Sequence, residues 1–276
     1  MPELPEVETV RHILKPQIIN HTIVGINIDN HSIISFPDSA QFASNIIGRT
    51  IVDMTRRGKF LVLHLDNEDK IVIHLRLTGQ LLVIPEGYRY PAYMHLNITL
   101  TNHTHLIYAD QRGFGRLWYI DKHADINITG INKLGLEPDD VALTGTYLKD
   151  KLSNTNRPIK TMLLDQSIVA GIGNIYSDEI LYKLGIHPQK KCKSITDEEW
   201  NLLAKTIKNI MQWAVKVNAT MSQEEYLLAQ ALYYKTTPFL KAYGHASSTC
   251  EICGETFKRV VINGRGSCFC PKCQRL

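Results

Sequence analysis

Both ends of this 276-residue chain carry residues whose types and spacing could do chemistry. At the C-terminus CEIC and CPKC, sixteen residues apart, place Cys250, Cys253, Cys270 and Cys273 in two matched knuckles. Two such knuckles can offer four thiolates to a tetrahedral zinc, a closed structural site with no open catalytic position. Cys268, in the intervening CFC run, competes as a ligand. Lys258, Arg259 and Arg265 lie between the knuckles, as contacts for a phosphate backbone or as solvated surface charge. At the other end MPELPEVE packs two prolines and three carboxylates into eight residues. Removal of Met1 would expose Pro2 as a secondary amine, able to attack a sugar carbon and form a charged imine. Glu3 and Glu6 could then manage protons. The same residues also fit a capped first helix with acids favourably placed at its N-terminus.

The elements that must position these ends read in two styles. A helix is expected from about Leu4 to Lys15. Runs rich in Val, Ile, Leu and Thr follow at Thr22 to Ile28, Thr50 to Met54, Phe60 to Leu65, Ile71 to Leu77, Leu96 to Leu100, Leu106 to Ala109 and Leu117 to Ile120. Polar turn clusters such as Asp66-Asn67-Glu68-Asp69 separate most of them, as a mostly antiparallel sandwich or barrel requires. After Asp121 the period changes to helical. Short helices are expected at Thr146 to Leu152, Ile159 to Leu164 and Asn174 to Leu184. Thr196 and Glu199 form a capping box ahead of Trp200, Leu203, Ile207 and Met211. Ser222 and Glu225 repeat that signature for a last helix running to about Tyr234.

Bulk composition excludes several classes. Hydrophobic residues make up 44% and charged residues 21%, an ordinary globular balance. No run approaches the roughly 20 apolar residues of a membrane span, and the N-terminus lacks the basic-then-apolar order of a signal peptide. A cytoplasmic protein is expected. Five of six cysteines crowd into the last 27 residues and Cys192 stands alone, which suits a local metal site better than a disulfide framework. A net charge of +4 points only weakly to an acidic partner.

MPELPEVETVR at the start, the cysteine-pair finger at the end, and in order between them RRGKF (Arg56 to Phe60), HLRLTGQL (His74 to Leu81), DQRGFG (Asp110 to Gly115), LGLEP (Leu134 to Pro138) and IKTMLLDQSIVAGIGNIYSDEIL (Ile159 to Leu181) resemble the bacterial formamidopyrimidine-DNA glycosylases. The resemblance spans nearly the whole chain. It implies an α+β protein: an N-terminal β-sandwich with flanking helices over 1–121, a helix-two-turn-helix domain over 131–243 and a zinc-finger hairpin over 244–276. It implies a bifunctional glycosylase and abasic-site lyase of base excision repair, a monomer with one structural zinc, acting on oxidised purines in damaged double-stranded DNA and held at the nucleoid by that DNA. Alternatives are an oxidised-pyrimidine enzyme similar to endonuclease VIII, disfavoured by Leu4 where that branch usually has Gly, and a binder of damaged DNA that does not cut.

Carried over by position, Pro2 resembles the Schiff-base nucleophile, Glu3 the proton donor to deoxyribose, Glu6 the group that orients the pocket, and Lys59 the hairpin lysine that contacts phosphate and assists elimination. His74, Lys160, Asn174 and Arg265 resemble the phosphate grip, with Arg265 also implicated in the second elimination. Arg112 and Phe114 look like the residues that fill the gap behind an extruded base. Several positions depart from the family pattern. Leu77 stands where a gap-filling Met is usual, and Tyr93, two residues before His95, where a second histidine is common. His245 replaces the Arg after Tyr-Gly. Between Asn218 and Tyr243 the family's glycine-rich loop gives way to MSQEEYLLAQALYYK, which shifts or relaxes the expected lesion preference.

Overall fold

The computed structural model describes residues 2–124, 126–230 and 233–276. It divides into two compact units, Met1–Asn132 with Val217–Lys235, and Lys133–Lys216 with Thr236–Leu276.

In the first unit α1 (Leu4–Ile18) carries Pro5 in its first turn, a favourable position because its missing N–H has no partner there in any helix. A capping box of Glu3 and Glu6 closes its N-terminus. Two sheets follow, built from β1 (Ile23–Ile28), β2 (Ile34–Phe36), β3 (Ile51–Arg57), β4 (Phe60–Leu65), β5 (Lys70–His74), β6 (Gly79–Pro85), β7 (Met94–Leu100), β8 (Thr104–Asp110) and β9 (Arg116–Ile120), with α2 (Ser39–Ile46) between β2 and β3. Strand order is β1-β7-β8-β6 in one sheet and β2-β9-β5-β4-β3 in the other. All pairings are antiparallel except β2 with β9. Alternating apolar residues of both sheets, together with Val7, Val10 and Leu14 of α1, form one core, the β-sandwich expected.

Four differences from the expected elements stand out in this unit. The strand expected at 71–77 ends at His74, because Arg76 takes a left-handed φ of 56° in a turn and its N–H donates to His74 Nδ1 at 3.0 Å. β6, absent from the expected strands, begins immediately after that turn, at Gly79. β2 and α2 were also missed, since Ile34–Phe36 is too short to show a period.

The second unit holds α3 (Gly145–Leu152), α4 (Ile159–Leu163), α5 (Asn174–Leu184), most of α6 (Asp197–Asn218) and the hairpin β10 (Lys258–Ile262) with β11 (Arg265–Phe269). Gly185 ends α5 in the left-handed conformation, φ 66°. α6 opens with the expected reciprocal bonds between Thr196 and Glu199, 2.9 and 3.2 Å. α7 (Gln223–Leu228) belongs to the first unit and is shorter than expected. It stops before Gln230, which turns to φ 48°. The expected continuation to Tyr234 crosses Ala231 and Leu232, outside the described residues, as is Met1. Among the described residues no helix is long and apolar enough to cross a membrane.

Candidate nucleic-acid interface and metal centre

The N-terminal cluster is built on α1 and the β3–β4 hairpin. Pro2, Glu3 and Glu6 are buried. The Glu3 N–H donates to Glu6 Oε2 at 2.8 Å, so the carboxylate of Glu6 fixes the backbone next to Pro2. One turn further on, Glu8 accepts from Arg56 Nε at 2.9 Å, while Arg56 Nη1 reaches the Gly58 carbonyl at 3.1 Å. That relay joins α1 to the tight turn Gly58-Lys59, where Gly58 adopts φ 55° and Arg57 pairs with Phe60. Burial alone would raise the Glu8 carboxyl; Arg11 and Arg56 outweigh it and hold it below its usual range.

Lys59 is buried at the hairpin tip, and its charge reaches His74 on the adjacent strand. Burial first, then Arg76 and Lys59, hold the His74 imidazole down to about 3. The Phe60 ring stands edge-on to it at 4.5 Å. Because Nδ1 accepts the Arg76 N–H, the proton of the neutral ring sits on Nε2, which makes His74 an uncharged donor.

The turn at 75–78 and the DQRGFG turn are tied together by Asp110, a residue whose role the sequence did not disclose. Its carboxylate accepts from Thr78 Oγ1 at 2.5 Å, Gly115 N at 2.8 Å, Arg112 N at 3.1 Å and Tyr108 Oη at 3.2 Å. Burial would raise its pKa, but these four donors keep it lowered. Leu77 lies in one of the two turns; Arg112 and Phe114 lie on the other. The Arg112 guanidinium sits 4.7 Å over the Phe114 ring, which remains 46% exposed. A Cβ at Gly115 would fall 1.5 Å from Tyr108 Oη, so only glycine permits this closure. Beside it, His95 Nε2 donates to the Asp110 carbonyl at 2.7 Å, and Tyr93, 58% exposed with φ 58°, accepts the Asp110 N–H on its own carbonyl.

In the second unit, Asn174 is the first residue of α5 after Gly173, and its Nδ2 donates to the Gly266 carbonyl at 3.0 Å. Gln166 clasps the preceding turn: its Oε1 accepts from Gly171 N at 2.9 Å and its Nε2 donates to the Ile172 carbonyl at 2.7 Å. Arg265 is exposed at the start of β11, immediately after Asn263 and Gly264, which take φ 47° and 74°. Two left-handed residues in a two-residue loop are the turn that Asn-Gly favours in hairpins.

Lys160, expected as a phosphate ligand, is 1% exposed; its Nζ meets Asp178 Oδ1 at 2.5 Å and Ser267 Oγ at 3.0 Å. Asp178 also accepts from Ser267 Oγ at 2.6 Å and Cys268 N at 3.1 Å. A buried ammonium enclosed in this way braces the finger hairpin against α5 instead of presenting its charge outward. The sequence also missed Glu179, whose carboxylate accepts the N–H groups of Lys241, Ala242 and Tyr243 at 2.8–3.1 Å and so fixes the chain entering the finger.

The ligand atoms of Cys250, Cys253, Cys270 and Cys273 all lie within 4.8 Å of one another. Four soft sulfur donors at that spacing, two of them buried, fit the donor set of one structural zinc, and Cys268 is outside the group. The Tyr182 hydroxyl lies 3.2 Å from Cys250 Sγ. Cys192 is buried, and burial raises its thiol to about 11, which marks an unreactive side chain.

Comparison with known proteins agrees along the chain. Residues 1–117 match the formamidopyrimidine-DNA glycosylase N-terminal domain, 134–225 its H2TH domain and 247–276 the zinc finger found in FPG and IleRS. The formamidopyrimidine-DNA glycosylase of Bacillus subtilis (strain 168) is 37% identical over 281 residues, covering 99% of each chain. The Lactococcus lactis enzyme solved with FAPY-dG DNA superposes with a TM-score of 0.90 at 31% identity, covering 99% of this chain and 100% of that one. A second structure of that enzyme, with DNA containing an oxidised pyrimidine, gives 0.91 at 31% identity and full coverage of both. With three domain matches in order and near-complete coverage at this identity, the chain belongs to the formamidopyrimidine-DNA glycosylase family.

Proposed function

We propose that this chain is a bifunctional DNA glycosylase and abasic-site lyase of base excision repair, removing oxidised purines, formamidopyrimidines foremost, from duplex DNA. The observation that carries the reading is the head of α1, where Pro2 is buried beside the Glu3 and Glu6 capping box and the Glu8–Arg56 relay sets the Lys59 turn. In this reading the Pro2 nitrogen, free once Met1 is removed, attacks the deoxyribose carbon and the damaged base leaves. Glu3 gives a proton to the sugar, Glu6 holds the backbone that aims Pro2, and the charged imine draws electrons from the sugar so that the strand breaks in two eliminations. Lys59 assists the first and Arg265 the second. His74, Asn174 and Arg265 grip phosphates, with Tyr93 and His95 contributing, and Lys160 braces the hairpin that carries Arg265. Leu77, Arg112 and Phe114 fill the space of the extruded base, offsetting the few kcal/mol that extrusion costs.

Three functional segments, 1–121, 131–243 and 244–276, would act together, in the cytoplasm and associated with the nucleoid through DNA. Borohydride reduction with abasic-site DNA tests the chemistry. Wild type should give a covalent adduct and Pro2→Gly none; a wild type without adduct would leave a DNA-binding protein that does not cut. An oxidised-pyrimidine specificity stays open because residues 219–235 replace the family's loop and the Lactococcus lactis relative was solved with such a lesion. Strong cutting of thymine glycol with none of oxidised purines in a duplex panel would select it.

A further inference from the structure

The described residues of the segment 219–235, where the glycine-rich loop is missing, belong to the first unit. Ser222 and Glu225 cap α7 reciprocally at 2.8 and 3.1 Å. The buried Tyr226 hydroxyl donates to the Leu81 carbonyl at 2.9 Å, and Gln223 Nε2 donates to Gln17 Oε1 of α1 at 2.6 Å. Lys235 forms an ion pair with Glu225 across the segment. Met221, Tyr226 and Tyr234 all enter the core of the sandwich.

Tyr234 differs from Tyr226 in one respect. It is 8% exposed, yet its buried hydroxyl has no hydrogen-bond partner among the described residues. Burial and the charge of Glu6 both push the phenol upward, so the hydroxyl keeps its proton and can only be a neutral donor or acceptor. Glu6 is the carboxylate that holds the Glu3 N–H, so the Tyr234 phenol lies within reach of the charge at the N-terminal end of α1. Buried polar groups are almost always paired, and an unpaired one costs stability unless something outside the chain completes it.

We propose that Tyr234 is a specificity-determining residue, its hydroxyl donating to a carbonyl oxygen or ring nitrogen of the extruded base. The proposal rests on the glycosylase reading above, and its test separates the two. Single-turnover excision from a duplex with an oxidised purine is compared with cleavage of a duplex that already holds an abasic site, for wild type and Tyr234→Phe, with thermal midpoints for both. Loss of one neutral hydrogen bond should slow excision about tenfold. Abasic cleavage should be unchanged, and the midpoint unchanged or higher because an unpaired hydroxyl is gone. Equal slowing on both duplexes would show that Tyr234 acts through Glu6 and Pro2 and overturn base recognition. So would unaltered excision, or a lowered midpoint with parallel losses. Wild type that cuts neither duplex would remove the glycosylase reading itself, and Tyr234 with it.

Discussion

Single side chains in this protein are set by burial more than by identity. His74 shows it: an imidazole that ordinarily titrates near neutrality is held down to about 3 by burial, Arg76 and Lys59. Unfolding restores the ordinary value, so between about pH 6.5 and 3 the unfolded chain binds a proton that the folded chain refuses. The contribution is therefore complete above the unfolded pKa and is lost as pH falls through that window, by up to about 1.4 kcal/mol per pH unit. Urea denaturation of wild type and His74→Gln between pH 7.5 and 4.5 should show a shallower loss in the variant; identical slopes would refute the assignment. The same neutral ring keeps a donor on Nε2 at working pH. Asp110 makes the complementary point. The motif around it was plain in the sequence, yet a carboxylate that gathers Thr78, Tyr108, Arg112 and Gly115 is visible only once β8 and the turn at 75–78 lie side by side.

At the scale of elements, short-range signals were sufficient where they were self-contained. β4 spans Phe60–Leu65 and α5 spans Asn174–Leu184, as expected, because turn residues or glycine punctuate both ends. They failed where a distant partner decides: α7 stops at Leu228 although its apolar pattern continues. Lys160 belongs here too, since α4, α5 and β11 together close on its ammonium. Removing one member of a buried pair strands the other charge, so Lys160→Met should destabilise the fold by about 3–5 kcal/mol. Lys160→Met with Asp178→Asn should recover part of that loss, in guanidinium unfolding followed by fluorescence. A single variant as stable as wild type would show that the pair contributes nothing.

For the whole molecule, a net charge of +4 is too small to hold DNA by itself, so placement of the cations must do it. Arg265 owes its position to a hairpin whose far end is the four-cysteine centre. Cys273→Ser, or zinc removal by a chelator, should weaken binding to duplex DNA and reduce the slope of log affinity against log salt by about one, the share of one phosphate contact. The first unit's sheet signal in circular dichroism should persist, since its core contains none of these cysteines. Unchanged affinity after zinc loss would refute the coupling.

The order of motifs, the proline at position 2, the paired knuckles and the capping boxes are local properties, and the residues alone determined them because each depends on spacing of a few positions along the chain. Tertiary structure alone decided that Cys268 stays outside the metal group, that Lys160 turns inward, and that the Tyr234 hydroxyl is buried with no hydrogen-bond partner among the described residues. Those outcomes depend on which distant atoms exclude water around a polar group, and solvent exclusion is a property of packing that no stretch of sequence carries by itself.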